Sequence, residues 1–186
     1  KKKRNVLVVG GGPGGMYAAI TAAERGHNVT LLEKENRLGG LLWFADVDCH
    51  KEDLRRYRDS LITRVHRAGV NVVTGVTATP DTIREYNPDA VIIAIGSEPA
   101  VPPIPGIKEY ARHAMYAYSD PDKIGRKVVM IGGGLIGVEC SMHLADAQGC
   151  EVQIIEMLDD YARDAYPSHR EAIDLFMPKT VHIKCG

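Results

Sequence analysis

Short apolar runs alternate along the chain with longer amphipathic segments, and this pattern predicts an α/β protein with mainly parallel sheets. The apolar runs have the length of strands, and the segments between them carry apolar residues at helical spacing. The predicted strands are 5–9, 27–32, 70–73, 90–96, 127–131, 151–155 and 180–184. The predicted helices are 16–25, 50–68, 111–118, 138–147 and 165–176, with a further short helix that begins after Thr79, its predicted N-cap.

The run at 90–96 differs from the other strands because it is apolar at nearly every position. Such continuity is typical of a parallel strand that is buried on both faces. Directly after it, four prolines and a glycine fall within residues 99–106. This composition is typical of a stiff, partly polyproline-II connection, so we predict a domain boundary here.

A glycine-rich motif occurs twice, each time between a predicted strand and a predicted helix. A glycine ends each of these helices, and the strand that follows ends at a glutamate, Glu33 in the first copy and Glu156 in the second. One motif is weak support for a nucleotide site because glycine clusters also form ordinary turns, but two copies in the same context indicate an internal repeat. The two motifs read Gly10-Gly11-Gly12-Pro13-Gly14-Gly15 and Gly132-Gly133-Gly134-Leu135-Ile136-Gly137.

The repeat predicts two Rossmann-like, doubly wound dinucleotide-binding units. In each copy the first glycine permits a tight turn, the second lets the backbone approach a pyrophosphate, and the third lets helix and strand pack closely. Backbone amides at the helix N-terminus then bind phosphate without a basic side chain. Glu33 and Glu156 stand where a carboxylate accepts hydrogen bonds from an adenosine ribose. Small-molecule nucleotides are therefore the predicted ligands.

Glu156 also bears on which nicotinamide nucleotide the second site takes. A 2′-phosphate about 4 Å from this carboxylate meets a repulsion of roughly 4 kcal/mol at an effective dielectric constant of about 20. The two following residues, Met157 and Leu158, supply no arginine to offset it. We therefore hypothesise that the second site favours NADH over NADPH. Glu33 does not distinguish FAD from NAD at the first site, because both carry an ADP ribose with a free 2′-hydroxyl group.

Composition argues against several other functions. The 186 residues carry a formal net charge of -1, which gives no broad positive field for nucleic acid. No apolar window reaches the roughly 18–20 residues of a membrane span, and no signal-peptide pattern follows the N-terminus. We expect a cytoplasmic protein with no nucleic-acid or membrane partner and no metal site. The four widely spaced cysteines are expected to be reduced structural thiols: Cys49, Cys140, Cys150 and Cys185.

Four segments, 8–16, 37–40, 94–99 and 129–139, together carry a family resemblance. The sequence resembles flavoproteins of the pyridine nucleotide–disulfide oxidoreductase type. Within them it resembles the C-terminal FAD/NAD(P)H-binding region of multidomain NADH:flavin oxidoreductases related to old yellow enzyme. That branch includes 2,4-dienoyl-CoA reductase, enoate reductase and trimethylamine dehydrogenase. In it, an N-terminal barrel holds FMN and a [4Fe–4S] cluster, and the region seen here takes hydride from NAD(P)H onto FAD.

The resemblance implies two sets of cofactor-binding residues and no catalytic side chain. The loop with Arg37 is interpreted equally well as an ordinary helix stop, and Glu139 as an acidic residue that stabilises a first helical turn. The residues implied for FAD are Gly10, Gly12, Pro13, Gly14, Gly15, Glu33, Lys34, Arg37, Gly40, Leu41, Ala94, Ile95 and Gly96. Those implied for NADH are Gly132, Gly134, Leu135, Ile136, Gly137, Glu139 and Glu156.

By this resemblance we expect an electron-entry part that passes hydride from NADH to FAD and on to a substrate-reducing FMN/iron–sulfur module. FMN and [4Fe–4S] are expected only in an N-terminal part of the parent protein. The alternative is a structural module that binds ADP without chemistry of its own, as in trimethylamine dehydrogenase relatives. The paired cysteines of disulfide reductases have no counterpart near Cys49, so dithiol chemistry is not expected.

The predicted domains are the first part of a FAD-binding domain at 1–110, a linker at 111–126, and the first part of an NADH-binding domain at 127–186. Because a complete doubly wound domain needs about 150 residues, we expect both units to be incomplete. Sheet edges and apolar faces should then be exposed unless another domain of the parent protein, or another subunit, covers them.

Overall fold

The computed structural model describes residues 2–47 and 51–186, and it confirms the predicted α/β class with parallel sheets. The chain divides into two units between Glu98 and Pro99, where the proline-rich segment begins. This division differs from the predicted ranges, which placed the end of the first domain at 110 and a linker at 111–126. Residues of that predicted linker pack in the second unit, since Ala117 is buried in its core and its carbonyl accepts a hydrogen bond from Gln148.

The first unit is a four-stranded parallel sheet with helices. Across the sheet the strands lie in the order Asn71–Val73, Asn28–Leu32, Asn5–Val9 and Ala90–Ile93, and every neighbouring pair is parallel. The main core lies between this sheet and the first and third helices, with Met16, Ile20 and Val65 fully buried. In chain order the elements are β1 (Asn5–Val9), α1 (Pro13–Glu24), β2 (Asn28–Leu32), α2 (Leu42–Ala45), α3 (Glu52–Arg67), β3 (Asn71–Val73), α4 (Pro80–Glu85) and β4 (Ala90–Ile93).

The second unit repeats the start of the first. Its three parallel strands lie side by side in chain order, Lys127–Ile131, Glu151–Glu156 and Val181–Cys185, and Val138, Leu144 and Ile154 lie in its core. Its elements are α5 (Ile107–Tyr110), α6 (Tyr116–Ser119), a 3₁₀ turn (Pro121–Lys123), β5 (Lys127–Ile131), α7 (Leu135–Gln148), β6 (Glu151–Glu156), α8 (Pro167–Phe176) and β7 (Val181–Cys185).

Local sequence signals explain several helix ends. The Thr79 hydroxyl accepts a hydrogen bond from the backbone amide of Thr82, which confirms the predicted N-cap of α4. Gly149 ends α7 in the left-handed conformation, at φ +65°. Helix α1 begins at Pro13, three positions before the predicted start at Met16, because proline already has the backbone angle of a first helical residue.

Two other predicted elements differ from the structure. The predicted helix at 111–118 is wrong, because the chain forms two single-turn helices, α5 and α6, with Ala111 extended directly after the first. The predicted helix at 50–68 is observed as α3, which begins at Glu52, and its first predicted residue, His50, lies outside the described residues, as do Lys1 and Cys49.

Both sheets have apolar side chains that the described residues leave uncovered. The prediction that the strand at 90–96 is buried on both faces is wrong: the strand ends at Ile93, whose side chain is 60% exposed. In the second sheet, Val129 and Ile131 of β5 are exposed as well. The apolar run therefore indicates a surface suited to burial, although the elements that the structure describes do not cover it. No described helix is long and apolar enough to span a membrane.

Candidate nucleotide-binding sites

The first glycine motif forms a turn between β1 and α1 that requires glycine at two positions. Gly10 has φ +107°, and its amide donates to the carbonyl of Leu32 at 2.8 Å. A Cβ at Gly10 would lie 2.2 Å from the carbonyl oxygen of Ala94. A Cβ at Gly15 would lie 1.8 Å from the carbonyl oxygen of Gly10. The first and last glycines thus let α1 start directly against the sheet.

The second motif, between β5 and α7, has the same geometry. Gly132 has φ +101°, and its amide donates to the carbonyl of Ile155 at 2.9 Å. A Cβ at Gly137 would lie 2.1 Å from the carbonyl oxygen of Gly132. The internal repeat seen in the sequence is therefore a repeat of backbone geometry.

Each loop holds one glutamate by two backbone amides, an arrangement that we call the carboxylate clasp. In the first loop, the Glu33 carboxylate accepts hydrogen bonds from the amides of Gly11, at 2.6 Å, and Glu35, at 2.8 Å. In the second, Glu156 accepts from Gly133 at 2.6 Å and from Leu158 at 2.8 Å. The two clasps thus use equivalent atoms at equal distances.

The clasp fixes each carboxylate and leaves it able to bind a ribose. A carboxylate has about four acceptor positions, and the two amides occupy only part of them. The amides of Leu158 and Gly133 also hold the pKa of Glu156 below its ordinary value, so this group stays ionised. An oriented, charged acceptor at the end of the second strand suits the two hydroxyl groups of an adenosine ribose.

The clasp glycines are functional positions that sequence reasoning missed. Gly11 and Gly133 stand at the second motif position, which the dinucleotide pattern treats as variable. A Cβ at Gly11 would lie 2.8 Å from the Glu33 carboxylate, and a Cβ at Gly133 would lie 2.9 Å from the Glu156 Cβ. The signal for them is the run of three consecutive glycines in both copies.

The first loop leaves open the space that a dinucleotide requires. A Cβ at Gly14 would meet nothing within 4 Å, and one at Gly12 would meet only the Cα of Gly40, at 4.0 Å. A Cβ at Gly40 would in turn lie 2.9 Å from the Gly12 Cα, so this approach requires glycine at position 40. With an N-terminal helix end beside this open cradle, the residues fit the ADP half of FAD.

The segment 34–43 lies beside this cradle. The Arg37 guanidinium lies 4.0 Å from the centre of the Trp43 ring, and that of Arg58 lies 3.4 Å from it. Trp43 also donates from its indole nitrogen to the carbonyl of Leu38 at 2.8 Å. Arg58 and Asp46 form a buried ion pair below this stack. Sequence reasoning did not identify this cluster around Trp43.

The remaining residues predicted for FAD are also placed near the first loop. Ala94 donates from its amide to the carbonyl of Val9 at 2.8 Å, so the segment 94–96 continues alongside Gly10. Ile95 is 72% exposed, and Gly96 has φ +72°. Lys34 is exposed directly after the clasp residue, and Leu41 is half-exposed directly after Gly40.

At the second loop, a neighbouring segment approaches the glycines. The amide of Ala162 donates to the carbonyl of Gly133 at 2.7 Å, and the amide of Leu135 donates to the carboxylate of Asp164 at 2.8 Å. Ile136 is largely exposed, whereas Gly134 and Gly137 lie in the turn itself. Sequence reasoning did not identify Asp164, which stands 29 residues from Leu135.

Glu139 lies in α7, one turn beyond the glycine loop, and its carboxylate is 3.1 Å from Nε2 of His169 in α8. Because α7 begins at Leu135, Glu139 lies in the second turn of the helix and not in the first turn expected from the sequence, and its role in binding NADH stays a prediction. Within residues 2–47 and 51–186, no group of three or more His, Cys, Asp or Glu side chains could hold a metal ion.

Each loop places a fixed carboxylate beside a helix N-terminus, which is the arrangement expected of a dinucleotide site. A comparison with protein families points to the same kind of site. The pyridine nucleotide-disulphide oxidoreductase family matches residues 4–186. The chain belongs to this family. Proteins of this family are pyridine nucleotide-dependent oxidoreductases, and membership indicates binding of FAD and of NAD(P)H.

Individual relatives agree with the family. NADH oxidase from Thermoanaerobacter brockii is 46% identical over 176 residues, which cover 90% of this chain and 26% of the relative. Bilirubin reductase from Mediterraneibacter gnavus is 38% identical, over 88% of this chain and 25% of the relative. Cinnamate reductase from Clostridium sporogenes is 37% identical, over 98% of this chain and 28% of the relative. The chain thus spans about a quarter of the length of these relatives.

The structure is similar to that of a 2-naphthoyl-CoA reductase in complex with 2-naphthoyl-CoA. The TM-score is 0.91 at 31% identity, and the match covers 99% of this chain and 28% of the reductase. Histamine dehydrogenase from Rhizobium sp. 4-9 shares the fold, with a TM-score of 0.75 at 19% identity over 100% of this chain and 31% of the dehydrogenase. These comparisons confirm the predicted resemblance to multidomain flavoproteins of the old yellow enzyme type.

Proposed function

We propose that this chain is the electron-entry part of an NADH-dependent flavin oxidoreductase, with FAD at the first glycine loop and NADH at the second. The observation that carries the proposal is the carboxylate clasp, which occurs twice with the same atoms at the same distances. Relatives that are named NADH oxidase and cinnamate reductase support the direction of transfer, from NADH toward an acceptor.

When bound, FAD supplies the acceptor for hydride from nicotinamide and the route by which electrons leave. The chain's own residues bind and orient the two nucleotides, which is sufficient for this step because hydride transfer requires no acid or base from the protein. The first cradle at Gly12 and Gly14 and the clasp at Glu33 hold the ADP half of one nucleotide. The clasp at Glu156 holds the ribose of the other and disfavours a 2′-phosphate.

Electrons from FAD would pass to a substrate-reducing module with FMN and [4Fe–4S], of the enoate or 2,4-dienoyl-CoA reductase type. This route for the electrons is supported by the similarity to a 2-naphthoyl-CoA reductase and to cinnamate reductase. The exposed apolar side chains of β4 and β5, among them Ile93 and Val129, would be covered by another domain of the parent protein or by another subunit.

A second candidate is a structural module that binds ADP without chemistry of its own. The observation in its favour is that the glycine loops and clasps are suited to the ADP part that FAD, NADH and ADP have in common. Mass spectrometry of the nucleotide released from the purified protein distinguishes the two candidates. FAD supports the electron-entry function, and ADP at the first loop supports the structural module.

The direct test is anaerobic reduction of the intact protein, stripped of flavin and reloaded with FAD alone. We expect NADH to bleach the flavin absorption, and NADPH to do so with a clearly lower second-order rate constant. A protein that binds FAD but shows no bleaching with either nucleotide contradicts the proposed function. Equal rates with NADH and NADPH contradict only the assigned role of Glu156.

A further inference from the structure

The anion-binding end of α7 already holds a carboxylate from the chain itself. The amide of Leu135, the first residue of the helix, donates to Asp164 at 2.8 Å. Both carboxylate oxygens of Asp164 lie 3.8 Å from the position of a Cβ on Gly134, the second glycine of the motif. A nucleotide pyrophosphate would use this same amide and approach this same glycine. Asp164 and a pyrophosphate are therefore alternative occupants of one position.

The first loop provides the comparison within the same chain. Its helix begins with Pro13, which has no amide hydrogen to offer a carboxylate. A Cβ at Gly12, the counterpart of Gly134, would meet only the Cα of Gly40, at 4.0 Å, and no carboxylate. The two loops thus share the turn and the clasp but differ at the phosphate position, which is open in the first and holds a carboxylate in the second.

Asp164 reaches this position from an anchored segment, the loop 157–166 after β6. The amide of Ala162 donates to the carbonyl of Gly133, and Ala162 itself is buried with φ +46°, an uncommon conformation for a residue with a side chain. On the other side of the loop, Arg170 of α8 binds Asp160 at 3.0 Å and Asp174 at 3.1 Å. Asp164 is exposed, so its side chain can leave without unfolding the core.

We propose that Asp164 is an affinity-determining residue of the second site, which competes with the pyrophosphate of NADH for the N-terminus of α7. The inference rests on the proposed function of that loop as the NADH site. Each nucleotide must displace a carboxylate that the helix end attracts, and the bound phosphates would be repelled by it if it stayed. The apparent dissociation constant then equals the intrinsic constant divided by the fraction of molecules in which Asp164 has left the amide.

The test uses the intact protein with ADP-ribose, which carries the pyrophosphate but undergoes no redox reaction. We expect Asp164→Ala to lower the dissociation constant for ADP-ribose by about three- to tenfold in isothermal titration calorimetry. Asp164→Asn, which keeps an acceptor but loses the charge, should have an intermediate effect. Asp159→Asn is the matched control, because this exposed carboxylate in the same loop pairs with Arg163. The control should leave the dissociation constant within about twofold of the wild type.

Stopped-flow binding of NADH separates competition from a purely structural role. Competition predicts that Asp164→Ala raises the association rate constant and leaves the dissociation rate constant nearly unchanged, since the bound state no longer contains the Asp164 contact. An unchanged or weaker affinity for ADP-ribose in Asp164→Ala, or a gain that lies in dissociation alone, overturns the inference and leaves the proposed function intact. A wild-type protein that binds no ADP-ribose contradicts the proposed function and the inference with it.

Discussion

Two adjacent glycines in the first turn of α1 should respond to alanine in opposite ways. Gly15→Ala places a Cβ 1.8 Å from the carbonyl oxygen of Gly10, whereas Gly14→Ala places one where no protein atom lies within 4 Å. Both substitutions add the same methyl group to the same helix. The pair therefore separates the requirement for close packing from the requirement for space that a cofactor would fill.

The expected magnitudes follow from these distances. An ordinary contact between carbon and a carbonyl oxygen is about 3.3 Å or longer, so Gly15→Ala forces α1 and the loop apart by roughly 1.5 Å. A displacement of this size falls at the upper end of the cost of overpacking, about 3 kcal/mol, and a helical alanine recovers at most about 1 kcal/mol. We expect a net loss of about 2 kcal/mol for Gly15→Ala and a gain of up to about 1 kcal/mol for Gly14→Ala.

Hydrogen exchange of the intact protein, followed on peptides that cover residues 5–24, reports the stability of this region locally. A loss of about 2 kcal/mol accelerates the slowest amides by about thirtyfold, and Gly14→Ala should leave them equal or slower. Gly14→Ala should nevertheless weaken FAD binding, because its methyl group points into the open cradle. Equal protection in the two variants refutes the assignment of Gly15 to packing. Unchanged FAD affinity in Gly14→Ala refutes the assignment of the cradle to the cofactor.

Two further predictions concern the residues around the clasps. Glu156→Gln should destabilise the second unit by about 1 kcal/mol in urea unfolding at pH 7. The amides of Leu158 and Gly133 lower the pKa of Glu156, so this contribution is fully present above the ordinary value of 4.5 and is lost as the pH falls through the lowered pKa. The stability difference between the two proteins should therefore shrink as the pH is lowered below 4.5, and a difference that stays constant contradicts the clasp. Trp43→Ala should raise the dissociation constant for FAD by about three- to tenfold, with Trp43→Phe in between because it keeps a ring face for the arginines. Fluorescence titration measures this, and an unchanged constant in the alanine variant argues against the role of Trp43 in shaping the cradle.

The elements that could be predicted are those whose signals are local. The strands at 5–9 and 127–131 agree with β1 and β5, because a compact apolar run meets a glycine loop that ends it. The cap at Thr79 and the helix stop at Gly149 depend on one or two residues. The prediction of one helix at 111–118 is wrong because the structure has single-turn helices in this region, α5 and α6, and a single turn depends on tertiary contacts rather than on its own sequence.

The residues of the site could be predicted only where they occur at a characteristic separation along the sequence. The distance from the glycine loop to the glutamate at the end of the next strand is such a spacing, and the structure brings Glu33 and Glu156 to their loops. Asp164 and Trp43 could not be predicted, because their partners depend on the path of irregular loops. The exposure of Ile93 could not be predicted either, since an apolar strand has the same sequence whether or not another element covers it.

The central claim is that one chain carries two separate dinucleotide sites, for FAD at the first loop and for NADH at the second. Equilibrium binding of both nucleotides to the intact protein, freed of its flavin, tests it most directly. We predict that one FAD and one ADP-ribose bind per chain at the same time, that Glu33→Gln weakens only FAD, and that Glu156→Gln weakens only ADP-ribose. Displacement of FAD by ADP-ribose, or a total of one nucleotide per chain, would contradict the account.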